Sequence, residues 1–189
     1  MSGYYPYLIS SLPALSIGMK PPFSFDRLLD MCGNLISDID RALLESLRSS
    51  GSCEYARNPT MRAWRSFETL VRNELVMIRA SRMHVDASKY LRPDVCPESA
   101  HAAHIAINAY RKISPLEVER ALDLERWQVL NELAHGHYFD VDTLIIYGAR
   151  LLILEKWERI RSADGERLLE ETLAATREEH KELQPWHNA

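Results

Sequence analysis

From Trp64 to Ile78 the apolar positions Trp64, Phe67, Leu70, Val71, Leu75 and Ile78 recur at three- and four-residue spacings, the period of one buried helix face. Asn58-Pro59 supplies the start of this helix, since proline at the first helical position has no hydrogen bond to lose, and the pattern predicts a helix to about Val85. Similar signals occupy most of the chain. Ser24 caps a short helix through Cys32 with Asp26 in its first turn, Gly33-Asn34 breaks it, and Ser37 opens a second one ending near Leu47. Ser49-Ser50-Gly51-Ser52 and Leu91-Arg92-Pro93 read as breaks. A helix is predicted from Pro97-Glu98 to about Arg111, and Ser114-Pro115-Leu116-Glu117 is a capping box launching another to about His135. Asp140 caps a helix to about Arg161, and Asp164 begins a last one to about Lys181.

No segment alternates with period two for long, although Tyr4 to Leu12 has the look of an extended apolar arm. The expectation is an all-α bundle of about six to seven helices behind an extended N-terminal arm, forming a single domain over residues 1–189. A weak two-half organisation, 1–92 and 93–189, is suggested by a short helix pair, a loop and a long helix in each half.

Composition narrows the function. With 23 basic and 27 acidic residues the net charge is −4, which argues against a general nucleic-acid binder. Cys32, Cys53 and Cys96 are odd in number and lack a CxxC, so they read as reduced thiols in a cytoplasmic protein. No signal peptide is expected, because prolines interrupt the first apolar run and no Lys or Arg precedes Lys20. Leu144 to Leu154 is too short to span a bilayer and contains Arg150.

On the long helix, Arg65, Arg72 and Arg79 recur every seven residues along one flank, with Glu68 between the first two. Such a stripe is either a solvated flank or a docking face for an acidic partner helix. Glu74 and Arg82 fall on the core side of the same wheel, one turn either side of Ile78, and read as a structural ion pair to another helix. Trp64, Trp127 and Trp157 read as core residues, and the tail from Glu166 to Glu182 as a solvated or partner-facing cover.

Three stretches carry a resemblance. The first is the opening, Tyr4-Tyr5-Pro6-Tyr7 onward to Lys20-Pro21-Pro22-Phe23-Ser24-Phe25-Asp26. The second is an RNEL…RA-x-R pattern matched by Arg72, Asn73, Glu74, Leu75, Arg79, Ala80 and Arg82. The third is Glu119-Arg120-Ala121-Leu122-Asp123 through Trp127, with His137-Tyr138-Phe139-Asp140 and Leu154-Glu155-Lys156-Trp157. Together they resemble an uncharacterised bacterial family encoded beside V-type ATP synthase genes and similar to the C subunit of that synthase, called d in eukaryotes. The resemblance implies an all-helical, non-catalytic socket without cofactors. Its partners would be the central-stalk subunits and the membrane rotor ring, with membrane association only through the complex. A complete socket of that kind has three helical bundles, for which 189 residues are too few.

The rival chemistry is metal binding. Glu98-x-x-His101 and Glu132-x-x-His135 each place a carboxylate and an imidazole on one helix face, as ferritin-like di-metal bundles do, with Glu68 or Glu74 and Glu117 or Glu125 as single carboxylates. Against this, Glu98 sits at a helix start and His135 at a helix end, whereas bundle ligands project from helix middles. His135-Gly136-His137 could form a small clip but fits better as the flanks of a turn, and His101 and His104 as surface or packing residues. No phosphate loop, Ser-His-Asp set or nucleophile elbow is present in the sequence.

Overall fold

The computed structural model describes residues 3–49, 58–92, 100–112 and 114–162, with the backbone alone at Ala100 and His101. Seven α-helices, α1 (Pro6–Ser11), α2 (Phe25–Cys32), α3 (Asp38–Glu45), α4 (Pro59–Met83), α5 (Ala100–Tyr110), α6 (Pro115–Leu133) and α7 (Val141–Arg161), make up the described part. Among these residues there is no strand, only an isolated antiparallel bridge between Tyr4 and Asp140. The architecture is all-α.

The caps explain the helix starts. The hydroxyls of Ser24, Ser37 and Ser114, the amide oxygen of Asn58 and the carboxylate of Asp140 each accept from a backbone N–H in the first turn of the following helix. At its other end α4 stops at Met83 because His84 turns into the left-handed region at φ 52°, two residues before the predicted end.

The opening segment departs from expectation. Pro6–Ser11 is a short helix, and only the stretch from Leu12 to Ser24 lacks helix. Tyr5 begins it without a side-chain cap, so tertiary contacts hold it. Tyr5 donates its N–H to the carbonyl of Phe139 at 2.6 Å and its hydroxyl to Asp40 at 2.5 Å. Leu8 of α1 is buried among Phe25, Leu28, Leu144 and Leu151.

Helix α7 is the centre of the fold. Val141, Leu144, Ile145, Ile146, Gly148, Ala149, Leu151, Ile153 and Leu154 are buried around its whole circumference. One face meets α1, α2 and α3 through Phe25, Leu28, Leu44, Leu144 and Leu151. The other meets α4 and α6 through Met61, Trp64, Trp127, Leu130 and Ile145. A third cluster, Val71, Ala102, Ile105, Ala109 and Leu122, fastens α5 across α4 and α6. Each fully buried side chain of this size contributes about 1.5–3 kcal/mol. The apolar run at Leu144 to Leu154 is thus a core helix, and no described helix is long and apolar enough to cross a membrane.

The first two clusters join residues on both sides of position 92. Gly148 permits the closest approach, since a Cβ there would lie 3.0 Å from both Phe25 Cε2 and Leu47 Cδ1, and 3.1 Å from Leu44 Cδ1.

A basic groove above a buried carboxylate

Asp123, 1% exposed in the middle of α6, is engaged by three side chains. It accepts from Arg126 Nη1 at 2.9 Å and from Trp157 Nε1 at 2.7 Å, and lies 2.5 Å from Lys156 Nζ. Arg126 also reaches Glu68 on α4 at 2.7 Å, and Lys156 reaches Glu119 at 3.2 Å. Burial works against the Arg126 charge, but Glu68 and Asp123 outweigh it and raise its pKa. This network ties α4, α6 and α7 together with both carboxylate oxygens of Asp123 engaged by a donor or an ammonium, the condition under which a buried carboxylate is tolerated.

The network forms the floor of a cleft of about 610 Å³. Among the described residues seven cations line it, Arg48, Arg65, Arg72, Arg79, Arg92, Arg126 and Lys156, against the three carboxylates Glu68, Glu119 and Asp123, a net charge of 7 − 3 = +4. Its apolar lining includes Val71, Leu75, Val76, Leu122, Leu152 and Ile153. A second cleft of about 840 Å³, lined by Pro21, Phe23, Glu155, Glu158 and Arg159 among others, shares Leu47, Arg48, Leu152 and Lys156 with the first. The two clefts therefore adjoin beside α7. On a protein with a net charge of −4, this concentration of positive charge is a local reversal of sign.

The arginine stripe read from the sequence lies on this groove. Arg65 is half-buried and donates to the carbonyl of Ser46. Arg72, also half-buried, donates to the carbonyl of Tyr90 at 3.2 Å, while Arg79 is exposed. Arg92 is positioned by a reciprocal clamp, in which buried Asn73 donates from Nδ2 to the Arg92 carbonyl and accepts the Arg92 N–H, both at 3.0 Å. That clamp pins the end of a 3₁₀ turn (Ala87–Tyr90) against α4 and sets Arg92 beside Arg72. Among the described residues the side chains of Arg72, Arg79 and Arg92 have no ion-pair partner.

The ion pair to another helix expected at Glu74 and Arg82 is not formed among the described residues. Glu74 is half-buried without an ion pair among the described residues, and Arg82 is exposed with its guanidinium 4.3 Å from the ring centroid of Tyr110 on α5. Arg82 therefore contributes a cation–π contact at the helix end.

The Glu-x-x-His candidates are dispersed. Glu98 lies outside the described residues, and His101 is placed only by its backbone in α5. Glu132 and His135 are exposed at the end of α6, where His135 Nδ1 lies 3.1 Å and 3.2 Å from the carbonyl oxygens of Asn131 and Glu132. That contact satisfies helix-end carbonyls. Glu117, at the opposite end of the same helix, is about 20 Å from Glu132 by helical rise. Glu125 is half-buried, and Glu68 is occupied by Arg126. His104 is exposed, with Nδ1 3.0 Å from Asn108 Nδ2.

The sequence reading missed a different cluster. His137, Asp140 and Asp142 bring potential ligand atoms within 4.8 Å of one another at the start of α7. Their existing bonds account for them: Asp140 caps Thr143 and lies 2.6 Å from His137 Nδ1, and Asp142 accepts from Asn58 Nδ2 at 3.0 Å. The signal was the His-x-x-Asp-x-Asp spacing over 137–142.

The bond to Asp140 raises the pKa of His137 above its ordinary 6.5 against opposing burial. Burial disfavours the Asp140 carboxylate, but the bonds from His137 and Thr143 outweigh it and lower its pKa. The protonated imidazole is thus the stabilised form, so its contribution is full below pH 6.5 and disappears as the pH rises through the raised value. An NMR titration should give His137 a midpoint above 6.5, returning towards 6.5 in Asp140→Asn. A midpoint at or below 6.5 in the unmodified chain would refute the assignment.

Residues 105–180 match the model of a family described as a protein of unknown function, DUF2764. The match runs from within α5 through α6 and α7 and so includes Asp123, Lys156 and Trp157. No curated protein and no solved structure matches the chain.

Proposed function

We propose that this chain is a non-catalytic, protein-binding subunit or accessory of a bacterial V-type ATP synthase, seated between the central stalk and the membrane rotor ring. The observation that carries the protein-binding part is the groove, whose basic wall at Arg65, Arg72 and Arg79 stands over apolar side chains of α4 and α7. A wall of that kind suits the acidic, apolar-striped helices of a protein partner. The synthase part rests on the three sequence stretches that resemble the synthase-associated family. Residues from the first and third of these stretches meet in the fold: Tyr4 pairs with Asp140, Phe25 N–H donates to Glu155 at 2.9 Å, and Asp123 accepts from Trp157. Their shared role is to hold a scaffold in shape, which agrees with a part that transmits force and performs no chemistry.

The test is affinity capture of the tagged chain from native membranes of its source organism. Stalk and rotor subunits should co-elute with the unmodified chain, and Arg72→Glu/Arg79→Glu should lower their recovery at least tenfold. Absence of synthase subunits from the unmodified capture would refute the assignment to the synthase. Full recovery with the charge-reversed variant would refute the groove as its contact.

A further inference from the structure

We propose that the end of the molecule around the start of α7 is a second docking surface, an acidic aromatic cap that takes a protein segment carrying arginine or lysine among apolar side chains. It is separate from the basic groove, and its use as the second face of a linking part rests on the synthase reading.

Exposure marks the surface. Six large apolar side chains among the described residues are at least 62% exposed: Tyr4, Tyr7, Leu35, Ile39, Met83 and Tyr138. Scattered singly, such residues need no explanation. All but Met83 belong to three segments, 3–11, 35–40 and 137–142, that the fold draws together. Half-buried Tyr5 is the fastening. Its N–H donates to the carbonyl of Phe139 at 2.6 Å, and its hydroxyl donates to Asp40 at 2.5 Å and accepts from the Ser37 N–H at 3.3 Å. Tyr4 forms the bridge to Asp140 and sets its ring edge-on to that of Phe139, with centroids 6.0 Å apart. A partner thus meets a surface already ordered, which lowers the entropy lost on binding.

Charge selects the partner. The three segments contain Asp38, Asp40, Asp140 and Asp142 and no lysine or arginine, a net charge of 0 − 4 = −4 with His137 neutral. Asp38 is exposed, and the other three, held within the fold, act through their field. On α7 the lining of the basic cleft begins at Ala149, nine residues beyond Asp140, a rise of about 13 Å. The molecule therefore carries two surfaces of opposite sign, and one partner segment does not suit both.

Side-chain chemistry sharpens the choice. The exposed rings of Tyr4, Tyr7 and Tyr138 attract a guanidinium or ammonium, and the aspartates add to that attraction. Leu35 and Ile39 supply the apolar contact that a residue beside the cation would bury. Tyrosine and arginine are the side chains that dominate interface hot spots. An acidic segment would meet like charge, and so would a second copy of this chain, which would set the same aspartates against one another across a two-fold axis.

The experiment uses the full-length chain, isotope-enriched for NMR, and two synthetic peptides patterned as amphipathic helices, one of leucine and arginine and one of leucine and glutamate. The arginine peptide should shift the amides of Tyr4, Tyr7, Leu35, Ile39 and Tyr138, and the glutamate peptide should leave them unmoved. In Tyr7→Ser/Ile39→Ser/Tyr138→Ser, checked for an unchanged fold by circular dichroism, affinity for the arginine peptide should fall about fivefold or more. No shift at these amides, equal shifts with the glutamate peptide, or unchanged affinity in the variant would overturn the proposal. Shifts of the same amides with protein concentration alone would overturn it by assigning the surface to a second copy. Co-sedimentation of the chain with phosphatidylcholine vesicles, lost in the variant, would overturn it by assigning the surface to a bilayer. The measurement needs no synthase and leaves Arg72 and Arg79 unchanged, so its failure is distinct from a failed membrane capture.

Discussion

Replacing Asp123 by Ala should destabilise the protein by about 3 kcal/mol, the lower end of the range for removing one partner of a buried ion pair. The lower end applies because the side chains of Arg126 and Lys156 keep 21% and 31% exposure and can turn partly to water. The indole N–H of Trp157 has no such escape and would lose its acceptor. Asp123→Asn keeps an oxygen for Trp157 but removes the charge facing two cations, so it should cost less than Ala. Urea denaturation of the three proteins measures both differences. A loss below about 1 kcal/mol for Ala would mean that α4, α6 and α7 are held by apolar packing alone, since typical single hydrogen bonds are worth that much.

Phe25→Ala should cost about 3–5 kcal/mol, because Phe25 is fully buried at the crossing of α2 and α7. A coupled substitution makes the result diagnostic. Gly148→Ala in the unmodified protein gains about 1 kcal/mol of helix propensity and loses about 1–3 kcal/mol to overpacking against Phe25, Leu44 and Leu47. The net sign should be destabilising. With Phe25 already truncated, the new methyl group and the two leucines have space, and Gly148→Ala should become stabilising. If the two substitutions prove additive, the close approach seen at Gly148 does not limit packing there.

What could be read from the sequence divides by range of interaction. The caps at Ser24, Ser37, Asn58, Ser114 and Asp140 act within one helical turn, and each is made in the structure. The apolar stripe of α4 likewise predicts its buried side through Trp64 and Val71. The short helix at Pro6–Ser11 was missed because no local cap defines it, its fixed points being Phe139 and Asp40. Arg82 was misplaced because a helical wheel assumes that the core face continues unchanged to the last turn, whereas Arg82 is exposed there with its guanidinium over the ring of Tyr110. In the sequence Asp123 is marked only as one position of the Glu119-to-Asp123 pattern. Its partner Trp157 is 34 residues away, and Glu68 lies 58 residues from Arg126, distances at which no spacing rule operates. The arginine stripe was visible as a repeat of seven, but its meeting with Arg92 and Lys156 around one groove depends on the packing of α4 against α6 and α7.

The stretch before α2 follows α7 along its length, and this has a consequence for how the molecule comes into being. Tyr5 is held at the start of α7 by Phe139, the Pro13 carbonyl accepts from Tyr147, and the Gly18 carbonyl accepts from Arg161 at its end. These contacts join residues 134 and 143 positions apart. During synthesis, Tyr5, Pro13 and Gly18 therefore cannot make these contacts until the residues around α7, 134 to 143 positions later, have emerged. Contacts of such sequence separation carry a loop-closure cost that local helix contacts do not, which favours their closing after the helices have formed.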